Sequence, residues 1–106
     1  MERRRITFML GVVYDTPLEK LRRIPAILSE IITTQEGATL DHVHFLSYGE
    51  YNLKFEVIYF IESAEYNRFA EIQEEINLKI FKQFSDNNIR FAYPTQTIIT
   101  AGESPQ

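Results

Sequence analysis

The stretch YNLKFEVIYFIE, Tyr51 to Glu62, limits the possible folds of this chain more than any other. Tyr51, Leu53, Phe55, Val57, Tyr59 and Ile61 recur at every second residue, the period of a strand with one face against a core. Asn52, Lys54 and Glu56 make the opposite face polar, until Ile58 and Phe60 turn it apolar as well. Such a strand needs a packed layer on its first face and a cover over part of its second. The preceding run TLDHVHFLSYGE supplies a hairpin partner, with the turn at Gly49 between Tyr48 and Glu50.

The flanking segments supply the layer. Ile6, Phe8, Leu10, Val12 and Tyr14 alternate as a first strand. In YDTPLEKL, Thr16 is placed to cap a helix, with Pro17 at its first position and Glu19 three residues after the cap. Leu18, Leu21, Ile24, Leu28 and Ile31 then form one apolar stripe, interrupted by Pro25, where a kink is expected. Gly37 is a natural residue just past the helix end. Ser63 reads as the cap of a second helix, with Glu65 in its first turn and Tyr66, Phe69, Ile72, Ile76, Ile80 and Phe84 along one face. Asp86, Asn87 and Asn88 end it with residues that tolerate left-handed geometry. FAYPTQTII, Phe91 to Ile99, alternates as a last strand in spite of Pro94, which has no N–H to donate.

The order β-α-β-β-α-β, with right-handed crossovers, predicts an α+β ferredoxin-like two-layer sandwich and an antiparallel sheet of order 4-1-3-2. One domain spans residues 1–106: a basic lead-in at 1–4, a folded core at 5–99 and a polar tail at 100–106. In that order the last strand is an edge, where a proline is tolerated and discourages further pairing. Both central strands carry apolar residues on the face away from the helices: Met9 and Val13 on one, Ile58 and Phe60 on the other. A face left in water would not show that cluster, so a neighbouring subunit or another domain is expected over it. With Pro94 and Gln96 of the last strand, these residues form the candidate interface.

Charge and composition remove several function classes. The net charge is −4, and apart from Glu2 and the cluster Arg3-Arg4-Arg5 the remaining chain holds 8 basic and 14 acidic side chains. An acidic body repels a phosphate backbone, so no nucleic-acid partner is expected, and the arginines read as a solvated entry to a strand. There is no cysteine, hence no disulfide, thiolate site or Cys nucleophile. No run reaches the roughly 18 to 20 apolar residues of a membrane span. MERRRITFML lacks a small-residue cleavage site and reads as structure.

No catalytic constellation emerges. The four glycines, at 11, 37, 49 and 102, form no phosphate loop. His42 and His44 share one face of a strand and could chelate a metal. The only carboxylate near them in sequence is Asp41, on the other face, so packing histidines and no metal are expected. Glu71, Glu74 and Glu75 read as a solvated helix face, with Lys79 one turn beyond Glu75. Tyr48, Tyr51, Tyr59 and Tyr93 lack the aromatic signature of RNA-stacking sheets. The expectation is a protein without enzymatic activity or cofactor.

Several stretches together carry a family resemblance. They are LGVVYDTPLEKLRRIPAILSEII, DHVHFLSYGEYNLKFEVIYFI and INLKIFKQFSDNNIRFAYPTQTI, with V-x-Y-D-T-P opening the first helix, Y-G-x-Y in the hairpin and F-A-Y-P-T-Q-T in the last strand. Over residues 5–98 the chain resembles the C-terminal α/β domain of the small-conductance mechanosensitive (MscS-type) channel family. That resemblance implies a domain of a homoheptamer, hanging on the cytoplasmic side of the inner membrane. There it forms a hollow cage below a channel that releases osmolytes and ions on osmotic downshock. It also implies an exit towards the base of the cage at Pro94–Ile98. The membrane helices and middle β-domain of the family are missing here, so this chain is not expected to conduct alone, and an excised domain is the favoured explanation. The alternative is a free-standing regulatory domain that holds a small molecule on the uncovered sheet face. A hydrolase of the acylphosphatase kind would need a Gly- and Arg-rich anion loop where Tyr14-Asp15-Thr16-Pro17 stands.

Overall fold

The computed structural model describes residues 3–92. Its elements are β1 (Arg4–Val12), α1 (Leu18–Thr33), β2 (Ala38–Tyr48), β3 (Leu53–Ile61) and α2 (Tyr66–Asp86). The strands form one antiparallel sheet in the order β1-β3-β2. This is an α+β arrangement consistent with a ferredoxin-like fold. The two-faced strand is central, as its apolar residues require: β3 pairs with β1 from Arg4 opposite Ile61 to Val12 opposite Leu53, and with β2 on its other side.

Every second residue of β3, Leu53, Phe55, Val57, Tyr59 and Ile61, is almost fully buried. They share one core with Leu10 and Val12 of β1, Ile24, Leu28, Ile31 and Ile32 of α1, and Ile72, Ile76, Ile80 and Phe84 of α2. Both helices therefore cover the same face of the sheet. The helical stripes hold in their interiors and fail at their starts. Leu18 and Tyr66 are exposed, because each stands in the first helical turn at the rim of the sheet layer. Tyr14 and Tyr51 lie outside the strands and are exposed as well.

The helix starts depart from the capping pattern. The N-cap of α1 is Pro17, with ψ 149°, and no side chain caps it. The Thr16 hydroxyl instead donates to the Val13 carbonyl at 2.6 Å, a turn contact that holds Thr16 almost buried. Local side-chain bonding of this kind competes with capping. α1 runs through Pro25 as one element. Ser63 lies two residues before the Glu65 N-cap of α2, and its Oγ accepts the Glu65 N–H at 3.1 Å. Glu65 is thus the cap residue and not part of the first turn. At the other end of α1 the C-cap is Thr34, and Gly37 serves the next connection, with φ 90° and its carbonyl accepting the Glu62 N–H at 2.9 Å. Asn88 adopts φ 58° after α2, the geometry its side chain tolerates.

Beyond α2 the chain returns to β1. Phe91 forms an antiparallel bridge with Val12, and the Ala92 N–H donates to the Gly11 carbonyl at 3.0 Å. Phe91 also stacks on Phe84, with centroids 4.9 Å apart and planes 7° from parallel. The rest of the expected last strand, Tyr93 to Ile99, with Pro94 and Gln96, lies outside the described residues.

Candidate functional site

The sheet face away from the helices is where the candidate interface falls. Because neighbouring strands pair in register, its residues form rows across the sheet: Arg5, Phe60 and Thr39; Thr7, Ile58 and His42; Met9, Glu56 and His44; Gly11, Lys54 and Ser47. Two irregularities in β2 set this arrangement. The register shifts between Leu40 and His42 and again between Phe45 and Ser47. Each inserted residue, Asp41 and Leu46, flips the alternation once. Leu40 and Val43 consequently both pack towards the helices while His42 and His44 both stay on the open face.

The four candidate contacts that are described differ in availability. Met9 is 44% exposed, and Val13 and Phe60 are half-buried. Ile58 is only 5% exposed within the chain itself, enclosed in the row between Thr7 and His42. Phe60 lies under the Arg3 guanidinium, 4.0 Å from its ring centroid, and Arg3 in turn pairs with Glu62 at 3.1 Å. Thr39 donates to the same Glu62 carboxylate at 3.2 Å. Part of the cover that Phe60 needs is therefore supplied by the basic lead-in. The apolar surface left for a partner on this face narrows to Met9 and the free part of Phe60, since Val13 lies just past the end of β1 and lines a cleft with Phe81 and Phe91.

Larger apolar surfaces lie elsewhere. At the hairpin end Phe45, Leu46, Tyr48 and Tyr51 are exposed, Tyr48 to 76%, and the Tyr14 hydroxyl donates to the Gly49 carbonyl there. On α2, Leu78 and Phe81 are exposed, Phe81 to 69%. Phe81 lines an open cleft of about 580 Å³ with Val13, Ile89 and Phe91. The signal for these residues was in the sequence: Leu78 and Phe81 are large apolar residues one turn apart on the otherwise polar side of α2. They lie off the buried stripe of Ile72, Ile76, Ile80 and Phe84.

The carboxylates of α2 make no acid–base pair. Gln35, almost buried, donates from Nε2 to Glu75 at 2.6 Å, while Lys79 donates to its Oε1 at 2.7 Å. A side-chain amide thus bridges the two residues expected to pair directly. Glu71 is held by Arg68 at 3.4 Å. Tyr59, at the centre of the core, donates to Gln73 at 2.7 Å, and burial pushes its phenol above the ordinary value of 10.0 against the opposing effect of that bond. Among the described residues no three His, Cys, Asp or Glu side chains converge on a common point as they stand. No helix there is long and apolar enough to cross a membrane.

The sequence matches the family described as "Mechanosensitive ion channel MscS, C-terminal" over residues 6–91, which takes in all five elements. It is 37% identical over 99 residues to the small-conductance mechanosensitive channel MscMJ of Methanocaldococcus jannaschii, covering 92% of this chain and 28% of that protein. It is 31% identical over 99 residues to the large-conductance channel MscMJLR of the same organism, covering 89% of this chain and 27% of the relative. An MscS family protein of Aquifex aeolicus is 32% identical over 99 residues, 91% of this chain and 27% of its own length. The chain therefore spans little more than a quarter of the relatives it matches. It belongs to the MscS mechanosensitive channel family, to whose C-terminal domain it corresponds.

Proposed function

We propose that this chain is the cage-forming structural domain of a mechanosensitive channel that releases osmolytes and ions on osmotic downshock. It acts on the cytoplasmic side of the membrane, does not conduct by itself, and meets identical subunits, seven in the arrangement the resemblance implies, and the other domains of the channel. The observation that carries this reading is the extent of the family match: it begins in β1, ends at Phe91 and leaves out no described element. The exposed apolar residues support it, because a domain that stood alone in water would not gain from Met9, Tyr48 and Phe81 at its surface. In the same reading the last strand continues from the Val12–Phe91 bridge along the free edge of β1, giving the order 4-1-3-2. Pro94 and Gln96 then belong to the exit and to its contacts.

The regulatory alternative would place a small molecule on the open sheet face. The clefts described here lie beside the helices instead, between α1 and α2 and along Phe81 and Phe91. The test is a graft. This chain replaces the matching C-terminal quarter of MscMJ, and the chimaera is assayed for patch-clamp conductance and for rescue of cells from downshock. A conducting, rescuing chimaera whose assembly is weakened by Phe60→Glu is the expected result. A chimaera that reaches the membrane yet neither assembles nor conducts would overturn the proposal. An isolated chain that stays monomeric would not, since one domain is a small share of a large interface.

A further inference from the structure

The open sheet face carries a second arrangement, independent of the channel reading. His42 and His44 are the only histidines of the chain, which has no cysteine. The bulge at Asp41 leaves both imidazoles on the open face, with ring centroids 5.1 Å apart. Sequence spacing offered them no third donor on that face. The hairpin supplies one: Glu56 pairs directly opposite His44, and its Oε1 lies 3.6 Å from His42 Nε2. Two donors bound to one tetrahedral ion at about 2.0 to 2.1 Å stand roughly 3.3 Å apart, so this pair is already near ligand spacing. On the other side of the ring, Asp41 Oδ1 lies 3.7 Å from His42 Nδ1. That separation is longer than a hydrogen bond, and closing it would fix the tautomer that presents Nε2 to a metal.

We infer that His42, His44 and Glu56 form a binding site for a divalent late transition-metal ion such as zinc. His44 is exposed on the edge strand with its ring centroid 5.1 Å from that of His42, and the site requires its side chain to turn towards the His42–Glu56 pair. Glu56 stands between Met9 and His44 in the central strand, with its side chain 22% exposed. The set of two imidazoles and one carboxylate suits zinc, nickel or copper rather than magnesium or calcium, which take all-oxygen ligands. Three protein donors leave a fourth position to water.

The test is calorimetric titration of Zn²⁺ into the tag-free full chain and into His42→Gln, His44→Gln and Glu56→Gln, with Lys54→Gln on the same face as a control. The expected result is one saturable ion per chain, weakened about tenfold or more in each of the three ligand variants and unchanged in the control. Circular dichroism establishes that the variants fold. With no other histidine and no cysteine in the chain, the imidazole NMR signals of both residues should shift together on addition of metal. Absence of saturable binding, or an affinity that survives Glu56→Gln, would overturn the assignment. Neither result bears on the channel proposal, which the graft tests separately.

Discussion

Replacing Gly37 by alanine tests whether the α1–β2 connection is set by backbone geometry and by its contact with α2. Gly37 holds φ 90°, where a Cβ is strained, and costs of about 1 to 3 kcal/mol are typical for such a residue. A Cβ built there would also lie 2.6 Å from Ile72 Cδ1, at a residue 1% exposed. That atom is the end of a flexible side chain, and turning it off its rotamer costs about 0.5 to 1.5 kcal/mol. The smaller entropy of an unfolded chain with alanine returns about 0.4 to 1 kcal/mol. A net loss of about 1 to 3 kcal/mol remains, read as a lower urea midpoint with an unchanged slope. Ile72→Val removes the clashing methyl and should cost about 0.5 to 1.5 kcal/mol by itself. In the double variant the steric share disappears and the φ share stays, so the combined loss should fall short of the sum by about 1 kcal/mol. A Gly37→Ala chain as stable as the wild type would refute the backbone argument. Strict additivity with Ile72→Val would refute the steric one.

Three further perturbations address the core and its polar links. Phe84→Ala, which removes a fully buried ring stacked on Phe91, should cost about 3 to 5 kcal/mol in denaturant unfolding. Gln35→Ala leaves Glu75 and Lys79 without the amide that joins them, and a loss of about 1 to 3 kcal/mol is expected in thermal or urea unfolding. Tyr59→Phe should cost about 1 kcal/mol near neutral pH through the lost bond to Gln73. Its phenol is raised in the folded state, so the folded protein holds the proton more tightly than the unfolded chain. Stability from this group is complete below the unfolded value of about 10 and is lost as pH rises beyond it. Urea midpoints measured above that pH should therefore fall more steeply for wild type than for the variant, and parallel curves would count against the assignment.

The sequence by itself determined the elements and the core. Strict alternation in Leu53–Ile61 and 3.6-residue recurrence in Ile72, Ile76, Ile80 and Phe84 are backbone periodicities, and a buried face cannot be built without them. Gly49 and Asn88 marked chain reversals for equally local reasons, and the family motifs were legible because they are strings of adjacent residues. Capping was less legible: Thr16 and Ser63 have the right chemistry for a cap, but their hydroxyls found nearer partners in the turn before each helix. Tertiary structure alone decided what faces what on the open side of the sheet. That Ile58 is shielded, that Arg3 covers Phe60, and that Glu56 stands beside His42 and His44 all depend on the pairing of strands and on two inserted residues in β2. A one-residue shift in register moves every side chain to the opposite face. Periodicity fixes which residues share a face of a single strand, whereas register, which joins residues distant in sequence, fixes the site.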